Sequence, residues 1–423
     1  MPLPDLILDP VNTPGVMAAK LWIRRGSGAD PDGERGAHQL LGSSLTRGCG
    51  PLDHLALADL VEGCGAGLRC DTHEDGMLIS LKCRDTDAAE LLPVLGWMLS
   101  APQLRPEQVN LERELSLQAL QRQREDPFHL AYDGWRQLAY GTGPYGHDPL
   151  GVSDELQVLD AQSLRPLAEQ LTCHGSVLAL SGTIPTELLS GLEDMPAFQS
   201  LQTGQGLNQA APELDERCAN ETFTPQPQGA ISLHPLATEQ VVMMLGRPTR
   251  PHGHPDDLAL RLLQAHLGVG MSSLLFRRLR EDHGVAYDVG VHHPARAAAA
   301  PFVLHASSSV ERARLSLRLL HQSWQELAER LLNEEDLELA RAKFRGQLAH
   351  ATQTTGQRAE RRAQLRALGL DDAHDQRSLE QLKELDAEVL RTTAARCLQT
   401  PLLSLCGPKE SLHTLAEDWR KLI

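Results

Sequence analysis

The order of apolar runs in this chain occurs twice, and that repetition constrains its fold more than any other feature. In the first half, "VMAAKLWIRR" (16–25) has the β-branched and apolar content of a strand, and "GSGADPDGERG" after it is a turn-rich loop. A helix is predicted over 36–47, and a second over 51–65, "PLDHLALADLVEGCG", where apolar residues recur at three and four positions. Two strand-like runs follow, "GLRCDTHED" and "GMLISLKCR", then helices at 87–100 and 105–125 that stop at "DPF". In the second half "GAISLHP" and "EQVVMMLGRP" read as strands and "HPDDLALRLLQAHLG" and "SSLLFRRLREDHG" as helices. "AYDVGVHH" and "PFVLHASSS" then read as strands, and "ERARLSLRLLHQSWQELAERL" as a long helix. Strand and helix orders that recur at a period of about 200 residues mark a duplicated α+β unit, with sheets packed by helices.

Length agrees, because 423 residues exceed what one hydrophobic core supports, about 250–300 residues. The sequence therefore divides into a first domain at 1–205, a polar Pro- and Gly-containing linker at 206–229, and a second domain at 230–423. A formal net charge of −16 argues against nucleic acid and anionic membrane as partners and favours, weakly, a cationic peptide. The eight cysteines are scattered without a C-x-x-C pair, which reads as reduced thiols in a cytoplasmic protein rather than a zinc ribbon. "MPLPDLILDPVNTPG" lacks the basic and apolar regions of a secretory signal, and no run of 18 apolar residues occurs.

Two stretches carry chemistry. "GAHQLLG" (36–42) sets His38 at the start of a short helix behind a strand and a Gly-rich loop, where a metal site would be well placed. Two His four apart on one helix face reach one metal, and a Glu beside the second takes a proton from bound water, the H-x-x-E-H arrangement. In "GVGMSSLLFRRLREDHGVAYDVG" (268–290), Arg280 and Tyr287 lie seven apart across a Gly284 helix stop. Arg offers rigid donors to a peptide carbonyl, and a Tyr hydroxyl adds a neutral donor suited to an oxyanion.

These motifs, with "YGTGPYGHDPLG" at 140–151, resemble the pitrilysin/insulinase metallopeptidase family, the mitochondrial-processing-peptidase type in particular, over nearly the whole chain. Aligned on that resemblance, His38 matches the first zinc ligand, Leu41 stands at the general base and Gly42 at the second ligand. The family's later Glu would fall at about 117–121, which reads "LQALQ"; Glu112 or Glu114 matches an upstream Glu. A lone imidazole does not hold catalytic zinc, which needs three protein ligands. His38 thus reads as a remnant, a partly exposed helical histidine with a local hydrogen bond. "PHGHP" (His252, His254) and "VHHP" (His292, His293) lack a helical His pair with a nearby Glu and read as surface loops.

The resemblance further implies two αβ domains of about 200 residues, with Arg280 and Tyr287 binding substrate backbone near the scissile bond. It implies a zinc-free, non-catalytic subunit of a heterodimeric peptidase, with zinc only in a partner subunit that carries an intact H-x-x-E-H. Two other roles fit the same residues: a structural core subunit, as family members are in respiratory complexes, and a homodimeric peptide-binding protein without proteolysis.

Overall fold

The computed structural model describes residues 5–171, 173, 175–191 and 229–423. Apart from Gly229, the linker expected at 206–229 lies outside the described residues. The first half runs β1 (Asp5–Pro10), β2 (Val16–Ile23), α1 (Ala37–Leu45), the short β3 (Gly48–Cys49) and β4 (Leu52–Asp53), then α2 (His54–Gly63). It continues through β5 (Gly67–Thr72), β6 (Met77–Arg84), α3 (Ala88–Ser100), α4 (Pro106–Gln123), α5 (Pro127–Tyr140), α6 (Ser153–Leu156), α7 (Ala161–Gln170), β7 (Ser176–Gly182) and α8 (Thr186–Gly191).

The second half repeats the sequence of elements: β8 (Ile231–Pro235), β9 (Gln240–Pro248), α9 (Asp257–Gly268), a π-helical turn at Phe276–Asp282, β10 (Asp288–His292) and β11 (Pro301–Ser309). Then come α10 (Ala313–Glu329), α11 (Glu334–Ala351), α12 (Thr355–Ala367), α13 (His374–Gln381), α14 (Ala387–Cys397), β12 (Leu402–Gly407) and α15 (Lys409–Leu422).

Each half builds a five-stranded mixed sheet of one design. The strand orders are β1-β7-β2-β6-β5 and β8-β12-β9-β11-β10. In each, the outermost pair, β1 with β7 and β8 with β12, is parallel and every other pairing antiparallel. The α+β duplication read from the sequence is therefore real, and β7 and β12, short apolar runs bounded by Gly or Pro that the expected strands did not include, complete the two sheets.

The central strands show why the sheets are covered on both faces. Along β2, Met17, Ala19, Leu21 and Ile23 enter one core with Leu40, Leu41 and Leu45 of α1, while Trp22 joins Ala359, Ala363 and Ala367 of α12 on the other face. Along β9, Val241, Met243 and Leu245 face the main core, whereas Val242 and Met244 pack with Ala131, Trp135 and Ala139 of α5. Trp135 is fully buried and donates Nε1–H to the Gly246 carbonyl at 3.2 Å, so its truncation to Ala would cost about 3–5 kcal/mol.

These covering helices are exchanged. α5, from the first half, lies on β8, β9 and β12, and α12, from the second half, lies on β1, β2 and β7. The compact units are accordingly 1–121 with 147–213 and 350–372, and 122–146 with 214–349 and 373–423, instead of the contiguous spans 1–205 and 230–423. Local signals start both helices: Asp126 caps α5 by accepting from Phe128 N at 2.8 Å, with Pro127 opening the helix, and Thr354 and Gln357 form a capping box on α12. What holds α12 is partly ionic. Arg358 and Arg362 bind Asp9 of β1 at 2.7 and 3.0 Å, and Glu360 takes Lys20 of β2 at 2.7 Å. Burial alone would raise the Asp9 pKa, but hydrogen bonds from Arg358 and Ser181 and the Arg362 charge outweigh it and leave the carboxylate below its usual range.

Among the described residues, no helix is long and apolar enough to cross a membrane.

Candidate functional site

His38, the second residue of α1, is fully buried, not partly exposed. The reason lies eight residues upstream, where Asp30 folds over the helix start as a remote cap. Its Oδ2 accepts from Gly36 N at 2.7 Å, and its Oδ1 from His38 N at 2.9 Å and from the His38 ring Nδ1 at 2.7 Å. The His147 ring approaches the same carboxylate at 3.5 Å. Burial pushes the Asp30 pKa up, and the nearby His147 ring together with the hydrogen bonds from His38 and Gly36 N reverses that, holding it low.

The other ring nitrogen is also committed. Arg25 Nε donates to His38 Nε2 at 3.3 Å, and a guanidinium can only donate, so Nε2 accepts and the proton on Nδ1 goes to Asp30. The lone pair a metal would need is held by an internal cation.

Leu41 and Gly42 are buried with the core. A Cβ on Gly42 would lie 2.7 Å from Thr72 Oγ1, 3.0 Å from Met77 Cε and 3.3 Å from Cys70 Sγ. The space a second ligand would extend through is thus filled by side chains of β5 and β6. On α4, Leu120 faces the core, Glu114 is exposed, and Glu112 pairs with Arg47 at 2.5 Å. Among the described residues no group of three or more His, Cys, Asp or Glu is arranged to hold a metal ion, and the residues around His38 do not fit one.

The loops expected at the surface around His252 and His293 are buried instead. Asp257, the first residue of α9, draws in the His252 loop, with His252 Nδ1 2.7 Å from its Oδ2 and Arg261 Nε donating to the same oxygen at 3.0 Å, while His293 bonds the Pro301 carbonyl at 2.8 Å. Burial opposes ionisation of Asp257, yet the Arg261 and His252 charges prevail and its pKa is driven far down. The two units thus carry the same loop-to-helix tie with its polarity reversed, acid in the loop in one and on the helix in the other. His254 is half-buried and His292 exposed.

Arg280 and Tyr287 are brought together in the second unit. The turn Phe276–Asp282 is π-helical, a form frequent at functional sites. It sets the Arg280 guanidinium 5.0 Å from the Phe276 ring centroid and lets Nη1 donate to the Tyr287 carbonyl at 2.9 Å. Gly284, at φ +59°, makes the reversal between them. The loop is tied at nearly every carbonyl: Arg312 donates to Gly284, and Ser308 Oγ to Val285 at 2.6 Å, while Tyr287 N donates to Ser307 at 3.1 Å. Tyr287 is 50% exposed, and its hydroxyl donates to Gln240 Oε1 at 2.6 Å. Partial burial moves its pKa up, so the phenol keeps that proton. Gln240 carries no mark in the sequence; only the sheet, which sets β9 two strands from β10, brings it here.

Residues 11–147 match the profile of insulinase, peptidase family M16, and residues 177–344 match the profile described as the peptidase M16 inactive domain. The chain belongs to the M16 peptidase family. Relatives include an uncharacterized zinc protease of Streptomyces coelicolor, 23% identical over 79% of this chain and 72% of its own length. Another, from Mycobacterium tuberculosis, is 21% identical over 97% of this chain and 93% of its own. Among solved structures, an M16 inactive domain from Pseudomonas fluorescens superposes with a TM-score of 0.84 at 19% identity, covering 96% of this chain and 95% of that one. A chain of complex III from Candida albicans superposes at 0.78 with 13% identity, over 98% and 97%. With a cation on His38 and neighbouring side chains filling the space at Gly42, α1 serves here as a packing element.

Proposed function

We propose that this chain is the catalytically inactive subunit of a two-chain M16 peptidase. In this reading its first domain walls a chamber, and its second domain presents Arg280 and Tyr287 to a peptide cut at the zinc site of a partner subunit, in the cytoplasm. The observation that carries the reading is the rebuilt His38 site, in which Arg25 occupies the ring nitrogen and Thr72, Met77 and Cys70 crowd position 42. Water activation and carbonyl recognition need only meet at the scissile bond, and two chains can share them. The exposed guanidinium and hydroxyl, held on a loop whose backbone groups are satisfied, support a preorganised hold on peptide backbone.

The test is reconstitution with a zinc-bearing M16 chain and an internally quenched peptide. The mixture should cleave and each chain alone should not. Arg280→Ala should lower kcat/KM by about 10- to 100-fold, the loss of a charged hydrogen bond, and Tyr287→Phe by about 3- to 10-fold. Full activity in the partner alone would sink the reading. The likeness to a complex III chain favours a second role, a structural subunit without peptide turnover. That role predicts that neither substitution changes the activity of any complex the chain joins.

A further inference from the structure

The geometry points to Gln240 as a positioning residue that fixes the Tyr287 hydroxyl as a hydrogen-bond acceptor, so that the site offers an extended peptide one donor, Arg280, and one acceptor, Tyr287. The inference rests on the peptide-binding reading above and sets its polarity. A phenol has one proton and two acceptor lone pairs. That proton is given to the Gln240 carbonyl oxygen at 2.6 Å, so the hydroxyl has none for an oxyanion, the role its residue type suggested.

The arrangement is built into the sheet. Gln240 opens β9 and pairs with Ser309 of β11, while Asp288 of β10 pairs with Ser307. Tyr287, Ser308–Ser309 and Gln240 therefore form a row across one end of three strands. Ser308 is itself committed to the Val285 carbonyl, which holds the loop that carries Tyr287. Arg280 can only donate, and it does so from the same loop. A donor beside an acceptor matches the alternating C=O and N–H of peptide backbone in any sequence, whereas a lone anionic side chain would engage Arg280 only. Because such contacts exist in the bound ground state as fully as in the transition state, they lower KM without raising kcat.

Two measurements test this. In the full chain with ¹³Cζ-labelled tyrosine, NMR titration follows the Tyr287 phenol, assigned with Tyr287→Phe. Removing an acceptor from the protonated form with Gln240→Leu should lower its pKa, and the carboxylate acceptor of Gln240→Glu should raise it. A pKa raised by Gln240→Leu would mean that Gln240 donates to the phenol, and the proposal would fall. In the complex with a zinc-bearing M16 chain and an internally quenched peptide, Gln240→Leu and Tyr287→Phe should each raise KM about 3- to 10-fold at constant kcat, with Gln240→Glu restoring the parent KM. A fall in kcat at constant KM would return Tyr287 to the oxyanion and overturn the polarity. Expected pKa changes with no kinetic effect of any variant would overturn the peptide role, and with it the reading on which it rests, while leaving the orientation of the hydroxyl intact.

Discussion

Restoring the missing second ligand should damage this chain without giving it zinc. In Gly42→His the new Cβ meets Thr72 Oγ1 at 2.7 Å and Met77 Cε at 3.0 Å, inside a buried seam between α1 and the β5–β6 strands. Replacing a helical glycine returns about 1 kcal/mol for alanine and about 0.5 kcal/mol for histidine. Against this, overpacking costs about 1–3 kcal/mol and a ring nitrogen without a partner about 1–3 kcal/mol more. The net is a loss of about 1.5–5.5 kcal/mol, or about 3–22 °C in the melting of the first unit. Gly42→Ala, which clashes only at Cβ, should lie between zero and about 2 kcal/mol, because the Thr72 hydroxyl and the Met77 terminus are movable. Calorimetry on both variants, with zinc analysis after gel filtration, reads the outcome. Parental stability in Gly42→His, or stoichiometric zinc in Leu41→Glu/Gly42→His, would refute the claim that this space is closed.

Two pH effects follow from buried groups. Asp30 has its folded pKa below the ordinary 3.8, so its stabilisation is complete above that value and lost as pH falls through the folded one. Asp30→Asn should therefore cost about 1–3 kcal/mol in urea unfolding at pH 7 and progressively less below about pH 4. His266 is pushed down to about 4, first by burial and further by Lys343, Arg277 and Arg278 against the opposing Asp336. Between pH 6.5 and 4 the unfolded chain binds the proton and the folded chain does not, so stability falls on acidification. His266→Gln should remove up to about 3 kcal/mol of that loss, seen as a flatter plot of unfolding free energy against pH.

The duplicated order of strands and helices was legible because periodicity is local, and "PFVLHASSS" is the whole of β11. That α1 packs into a core was legible from the apolar Leu40, Leu41 and Leu45. What sequence did not carry is partnership at a distance. "PFHLAYDGWRQLAY" is amphipathic whichever sheet it covers, so the exchange of α5 and α12 leaves no local trace. His38 and His252 look like surface residues until Asp30 and Asp257 tie down their loops, and His293 until the Pro301 carbonyl does. Gln240 stands 47 positions from the hydroxyl it accepts from, with nothing around it to mark the contact. The pairing of Arg280 with Tyr287 could be read because they sit seven apart on one reversal, a geometry that a short motif encodes.

The exchanged helices also bear on ancestry. α4 and α11 have the same length, 18 residues, and α5 and α12 follow them in corresponding places, so each half gives away the helix it receives. A chain of half this length with the same order of elements would leave one face of its sheet bare unless a second copy supplied the cover. The protein is in that sense a swapped dimer made permanent by fusion. Dividing its gene at the junction between halves would yield two products that are insoluble apart and competent together.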